Sequence, residues 1–119
     1  MSRIALLTAG LVAALALAAP IGATSSVTKL TGTVGPGFTI TLKKGTAKVK
    51  TLKAGSYKIT VNDKSKIHDF HLTGPGVNKM ITTTPFKGTK TVTVKLKKGT
   101  YRYVCDPHAS VMKGSFKVT

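Results

Sequence analysis

The sequence predicts an all-β chain, a Greek-key β-sandwich or barrel, preceded by a secretory signal. Three observations carry that reading. Beyond residue 20 the chain is rich in Thr, Val, Lys and Gly, has no Trp or Glu, and offers few strong helix formers other than Lys. Several runs alternate apolar and polar residues with period two, which marks half-buried strands. Gly, Pro and Asn-Asp punctuation separates the runs at the short spacing of sandwiches and barrels. No segment after the signal shows a helical period.

The elements follow in chain order. Met1-Ser2-Arg3 is a short basic start, and Ile4 to Ala19 is an apolar run closed by Pro20. That run is shorter than the roughly 20 residues a membrane-spanning helix needs. Ala16-Leu17-Ala18 fits a small-x-small cleavage pattern, with Ile21-Gly22-Ala23 a weaker option. Residues 1–23 are therefore expected to be a secretory signal peptide and residues 24–119 one domain, periplasmic or extracellular, without stable membrane insertion. Residues 23–28 form a small-residue lead-in. Phe38-Thr39-Ile40-Thr41-Leu42, Tyr57-Lys58-Ile59-Thr60-Val61 and Lys90 to Leu96 alternate cleanly, and Tyr101 to Cys105 and Ser115 to Thr119 complete the strands. The expected pairing is antiparallel. Leu52-Lys53-Ala54-Gly55-Ser56-Tyr57 and Leu96-Lys97-Lys98-Gly99-Thr100-Tyr101 share a Leu-x-x-Gly-x-Tyr pattern. Each resembles a tyrosine corner, with a hydroxyl bonded to nearby backbone at a sandwich edge.

The chemistry is concentrated in Cys105-Asp106-Pro107-His108-Ala109-Ser110-Val111-Met112. A thiol, an imidazole and a thioether fall on one loop between two predicted strands. Thiolate and thioether are soft ligands, and a trigonal His₂Cys site with a weak axial Met selects copper. The loop lacks a second His, for which His68 and His71 are candidates. Alternation puts His68 with Phe70 and Leu72 on the inward face, and His71 with Asp69 and Thr73 on the other.

Leu-x-x-Gly-x-Tyr-x-Tyr-x-Cys-x-Pro-His over residues 96–108, with Met112 shortly after, resembles the small blue-copper proteins, the cupredoxins. His68-Asp69-Phe70 is similar to the His-Asn pair that supplies their first ligand. The resemblance is clearest over residues 57–119. It implies a type 1 copper, one per chain, with His68, Cys105, His108 and Met112 as ligands, and electron transfer between redox partner proteins by a monomer. It also implies an electron port at the edge of His108, with Pro107, Ala109 and the Gly74-Pro75-Gly76-Val77 turn as the surrounding patch. Two features depart from the family pattern. Three residues separate His108 from Met112, one fewer than in plastocyanin-like loops and one more than in amicyanin-like loops. Asp69 stands where the family has an Asn that ties the two ligand loops together.

The charge is the other strong signal. Nineteen Lys and Arg face three acidic residues, a formal net of +16. Such a surface steers acidic partners. Nucleic acid is not expected, because no aromatic stripe accompanies the Lys and the chain carries an export signal. An enzyme is not expected either: a Cys–His nucleophilic pair here has no orienting third group beyond Asp106 and no substrate cleft. The competing readings are an extracytoplasmic copper chaperone or store using the same ligands, and a metal-free basic sandwich held on anionic surfaces.

Overall fold

The computed structural model of the protein describes residues 27–119; the predicted signal peptide lies outside the described residues. These residues form ten strands and one 3₁₀ turn. The strands are β1 (Thr28–Val34), β2 (Ile40–Lys44), β3 (Ala47–Lys48), β4 (Thr51–Leu52), β5 (Gly55–Asp63), β6 (Phe70–Gly74), β7 (Val77–Thr82), β8 (Gly88–Leu96), β9 (Gly99–Val104) and β10 (Lys113–Val118). The turn, η1, spans Asp106–His108 between β9 and β10. Two five-stranded sheets result, in the orders β3-β2-β1-β5-β8 and β4-β10-β9-β6-β7.

Alternation builds the core. In β5, Tyr57, Ile59 and Val61 are buried while Ser56 and Lys58 face solvent. Leu30, Val34, Leu42 and Leu96 come from the same sheet, and Phe70, Leu72, Tyr101, Tyr103, Phe116 and Val118 from the other. Phe70 stacks on Tyr103 at 5.7 Å between ring centroids, and Tyr101 on Phe116 at 5.3 Å. Two glycines make room for these rings. A side chain at Gly114 would collide with the Tyr103 ring, and one at Gly74 with Tyr101.

Both tyrosine corners form. The Tyr57 hydroxyl donates to Lys53 O at 2.6 Å. The Tyr101 hydroxyl lies 3.0 Å from both Lys97 O and Pro75 O and accepts the Lys97 N–H at 2.8 Å.

The structure departs from the sequence reading in several places. β1 pairs with β5, and β4 with β10, in parallel, so the sheets are mixed. β1, β7 and the two-residue strands β3 and β4 lie outside the runs expected as strands. Phe38 lies outside β2 and is 59% exposed rather than in the core. The Gly74–Val77 turn sits at the end of the sandwich opposite the Cys105 loop. β6 runs antiparallel to β9, with His71 beside Val104 and Thr73 beside Arg102, and the turn beyond is held by Tyr101 at the start of β9.

Candidate metal centre

Two segments meet at one end of the sandwich. Cys105 follows the last residue of β9, η1 carries His108, and Met112 leads into β10. The loop closes on itself through backbone bonds. Cys105 N–H donates to Met112 O at 3.0 Å, His108 N–H to Cys105 O at 3.0 Å, and Met112 N–H to His108 O at 2.8 Å. The second segment, residues 64–69, joins β5 to β6. Its His68 precedes the strand itself, and its ring is fully buried, as are Cys105 and Met112. His108 is half-buried.

His68, Cys105 and His108 converge. Their donor atoms lie within 4.8 Å of one another. The edges of the triangle are 3.2 Å from His68 Nδ1 to His108 Nδ1, 3.7 Å from His68 Nδ1 to Cys105 Sγ, and 3.6 Å from His108 Nδ1 to Cys105 Sγ. These donors fit copper. They are borderline and soft ligands, and a point equidistant from the three lies about 2 Å from each, the ordinary length of a bond from a first-row metal to such atoms. Burial pushes the Cys105 thiol up, so without a cation the site holds it protonated.

The surroundings fix each donor. Asp69 N–H points at Cys105 Sγ at 3.5 Å. The Asp69 side chain reaches across to the loop and accepts the Asp106 N–H at 2.7 Å. Asp69 is 5% exposed, which corrects its expected outward placement: residues 68, 69 and 70 are all buried, so strict alternation begins only inside β6. Burial is the main cause that pushes its carboxyl up, against the lowering effect of the Asp106 bond. His71 does face outward, half-buried, and both its nitrogens are engaged by other side chains.

The sequence reading missed Phe38. Its ring stands edge-on to both histidines, 5.7 Å from His68 and 4.9 Å from His108 between centroids. Gly35 places it there. The backbone at Gly35 has φ +74, and a Cβ would meet His68 Cδ2 at 2.8 Å, so a residue without a side chain is needed twice over. Gly35-Pro36-Gly37 marked that bend in the sequence.

Residues 38–119 match the family described as copper binding proteins, plastocyanin/azurin family. The chain belongs to that family. Its cupredoxin fold also has solved counterparts. A rusticyanin variant is similar at 23% identity over 76% of each chain, with a TM-score of 0.54. A second rusticyanin structure gives 25% identity, 76% of each chain and 0.51. Auracyanin A, a "blue" copper protein from the green thermophilic photosynthetic bacterium Chloroflexus aurantiacus, gives 19% identity over 76% of this chain and 98% of its own, at 0.52. No curated protein matches the sequence. As a cupredoxin, the chain has a copper-binding donor set compatible with a type 1 electron-transfer site.

Proposed function

We propose that this cupredoxin carries single electrons between partner proteins outside the cytoplasm, using one copper ion held by His68, Cys105, His108 and Met112. The observation that carries the reading is the buried triangle of two imidazole nitrogens and a thiol on a closed loop. Bound copper would supply a one-electron couple between Cu(I) and Cu(II). The protein's part is to hold the donors and keep water away. His68 and Cys105 are inaccessible to solvent, while His108 reaches the surface. Met112, fully buried and backbone-paired with Cys105 and His108, is the proposed fourth ligand.

The half-buried edge of His108 is the proposed port for electrons. Exposed Pro107 and Ala109 flank it, Phe38 packs on it, and the exposed apolar residues Ile67 and Val111 belong to the same two loops. This patch replaces the distant Gly74–Val77 turn. No catalytic role is proposed. The domain is residues 24–119, a monomer, with residues 1–23 as its export signal. Its partners are acidic: Asp63 and Asp69 are buried and Asp106 is engaged by His71, so the free surface is overwhelmingly cationic.

The test is the visible and EPR spectrum of the purified protein after adding Cu(II). An intense blue or green thiolate-to-copper band is expected, and Cys105→Ser should abolish it. A colourless protein with weak copper binding through hard ligands would overturn the electron-carrier reading. It would leave a copper store or a metal-free basic sandwich.

A further inference from the structure

His71 is left over by the proposed function. It sits on the outer face of β6, beside Val104 of β9 and Met80 of β7. Its Nδ1 lies 3.0 and 3.1 Å from the two carboxylate oxygens of Asp106, and its Nε2 lies 2.6 Å from Asn78 Oδ1 on β7. Both ring nitrogens therefore face oxygen acceptors, an arrangement in which the ring donates at each end. The ring does not join the metal triangle. It spans from one edge strand of the sheet, through β6, to the first residue of η1.

Asp106 is the residue this contact controls. It lies between Cys105 and the Pro107-His108 pair, so its backbone sets how His108 leaves the end of β9. One hold on Asp106 is the Asp69 carboxylate, which takes its N–H. The other is His71, which takes its side chain. The two holds come from neighbouring residues, Asp69 buried just before β6 and His71 half-buried within it. With both made, the Asp106 peptide has its amide and its side chain fixed in different directions. Without His71 the Asp106 side chain has no hold, and the turn keeps only the Asp69 bond and the loop's own backbone bonds. The His71 side chain is only 22% exposed, against 45% for Asp106. Solvent at Asp106 still screens the contact, so its strength is that of a partly shielded surface pair.

We infer that His71 is a positioning residue: by bridging Asp106 to Asn78 it locks the first turn of the Cys105–Met112 loop to the sheet, and so sets the orientation of His108. The inference rests on the reading of that loop as the ligand loop. Its test therefore uses one readout that needs no metal.

In the metal-free full chain, amide hydrogen exchange would be followed at His108, Val111 and Met112, whose N–H groups bond within the loop. Amides of the β5–β8 ladder serve as the control. His71→Ala should speed exchange at the three loop amides by roughly two- to fivefold, the factor that loss of one partly screened surface pair implies. The control amides should not change. Asp106→Ala should give the same pattern, and the double variant should add nothing further. His71→Gln, which keeps one N–H for Asp106, should restore part of the protection and stands in if His71→Ala fails to fold. In copper-loaded protein the His71→Ala EPR hyperfine splitting should shift, while a merely stabilising residue would leave it alone. Loop exchange and EPR at wild-type values in His71→Ala would overturn the inference, as would additive effects in the double variant. A colourless wild type with the expected exchange pattern would sink the copper reading and leave the lock standing.

Discussion

Asp69 offers the sharpest test of how the two ligand segments are held together. Its Oδ1 accepts the Asp106 N–H at 2.7 Å from a position only 5% exposed. Asp69→Ala leaves that N–H without its acceptor, which costs about 1–3 kcal/mol. At about 4–8 °C per kcal/mol for a domain of this size, Tm should fall by between about 4 and 24 °C. Asp69→Asn keeps an oxygen in the same place and should avoid that loss. The charge enters with a definite sign. Burial raises the Asp69 carboxyl above its ordinary value, more than the Asp106 bond lowers it. A carboxyl raised on folding stabilises the fold fully below its unfolded value of about 3.9, and that contribution is lost as pH rises through the folded value. At neutral pH the ionised group is therefore a cost. Asp69→Asn should be more stable than wild type at pH 7, and the two should converge below about pH 4.

Thermal unfolding of the three metal-free proteins between pH 3 and pH 8, followed by circular dichroism, measures both effects. Asp69→Ala unfolding at the wild-type temperature would show that the Asp106 bond holds nothing. Asp69→Asn less stable than wild type at pH 7 would show that the charge-assisted bond outweighs burial, reversing the sign. With copper bound, a negative charge beside the site favours Cu(II), so Asp69→Asn should also raise the reduction potential. Equal potentials would mean the charge is screened from the site.

The remaining predictions address the corners, the port and the surface. Tyr101→Phe should lower stability by about 2 kcal/mol and Tyr57→Phe by about 1, because Tyr101 loss also orphans the Lys97 N–H; the denaturant midpoints report the difference. Phe38→Ala should cost about 1 kcal/mol from its edge-on contacts with the two histidines while leaving the copper colour in place, and loss of colour would mean that Phe38 holds the donors themselves. His68→Ala should remove the strong colour and His71→Ala should keep it; the reverse would place the wrong histidine at the metal. Electron transfer to an acidic protein should slow steeply with salt as the Debye length falls to about 8 Å, while transfer to a small neutral reagent should not, and equal responses would reduce the Lys surface to a solubilising role.

What the sequence made legible was whatever a short stretch determines. Cys105, His108 and Met112 share one loop, so their chemistry could be read without knowing the fold. The two Leu-x-x-Gly-x-Tyr turns were legible for the same reason: each hydroxyl bonds four residues back. Features that depend on a distant partner were not. β1 carries Gly32 at a buried position, where the Phe70 ring from the other sheet supplies the bulk, and so its alternation is muted. β7 is an edge strand with only Ile81 and Thr82 buried, which leaves it without a clean period. Phe38 continues an alternating run past the point where the chain bends, and only the histidines from two other segments give it a place. The parallel pairing of β1 with β5 follows from how the sheets close and has no local signature.

The same distinction explains why the proposed site can be ready before any metal arrives. Cys105 is fixed by its own loop, through Met112 O and the His108 N–H, and by the Asp69 N–H aimed at its sulfur. His68 is fixed by a different segment, its ring wedged between Gly35 and Phe38. No single backbone hinge moves both. Moving Cys105 relative to His68 would require breaking the Asp69–Asp106 bond or displacing the Gly35 backbone, and each is anchored in a separate sheet. Donors held in this way cannot follow a change in charge at their centre by moving far, which is the condition for fast one-electron exchange. Weakening the Asp69 brace should therefore slow electron transfer even in a variant whose fold and colour survive.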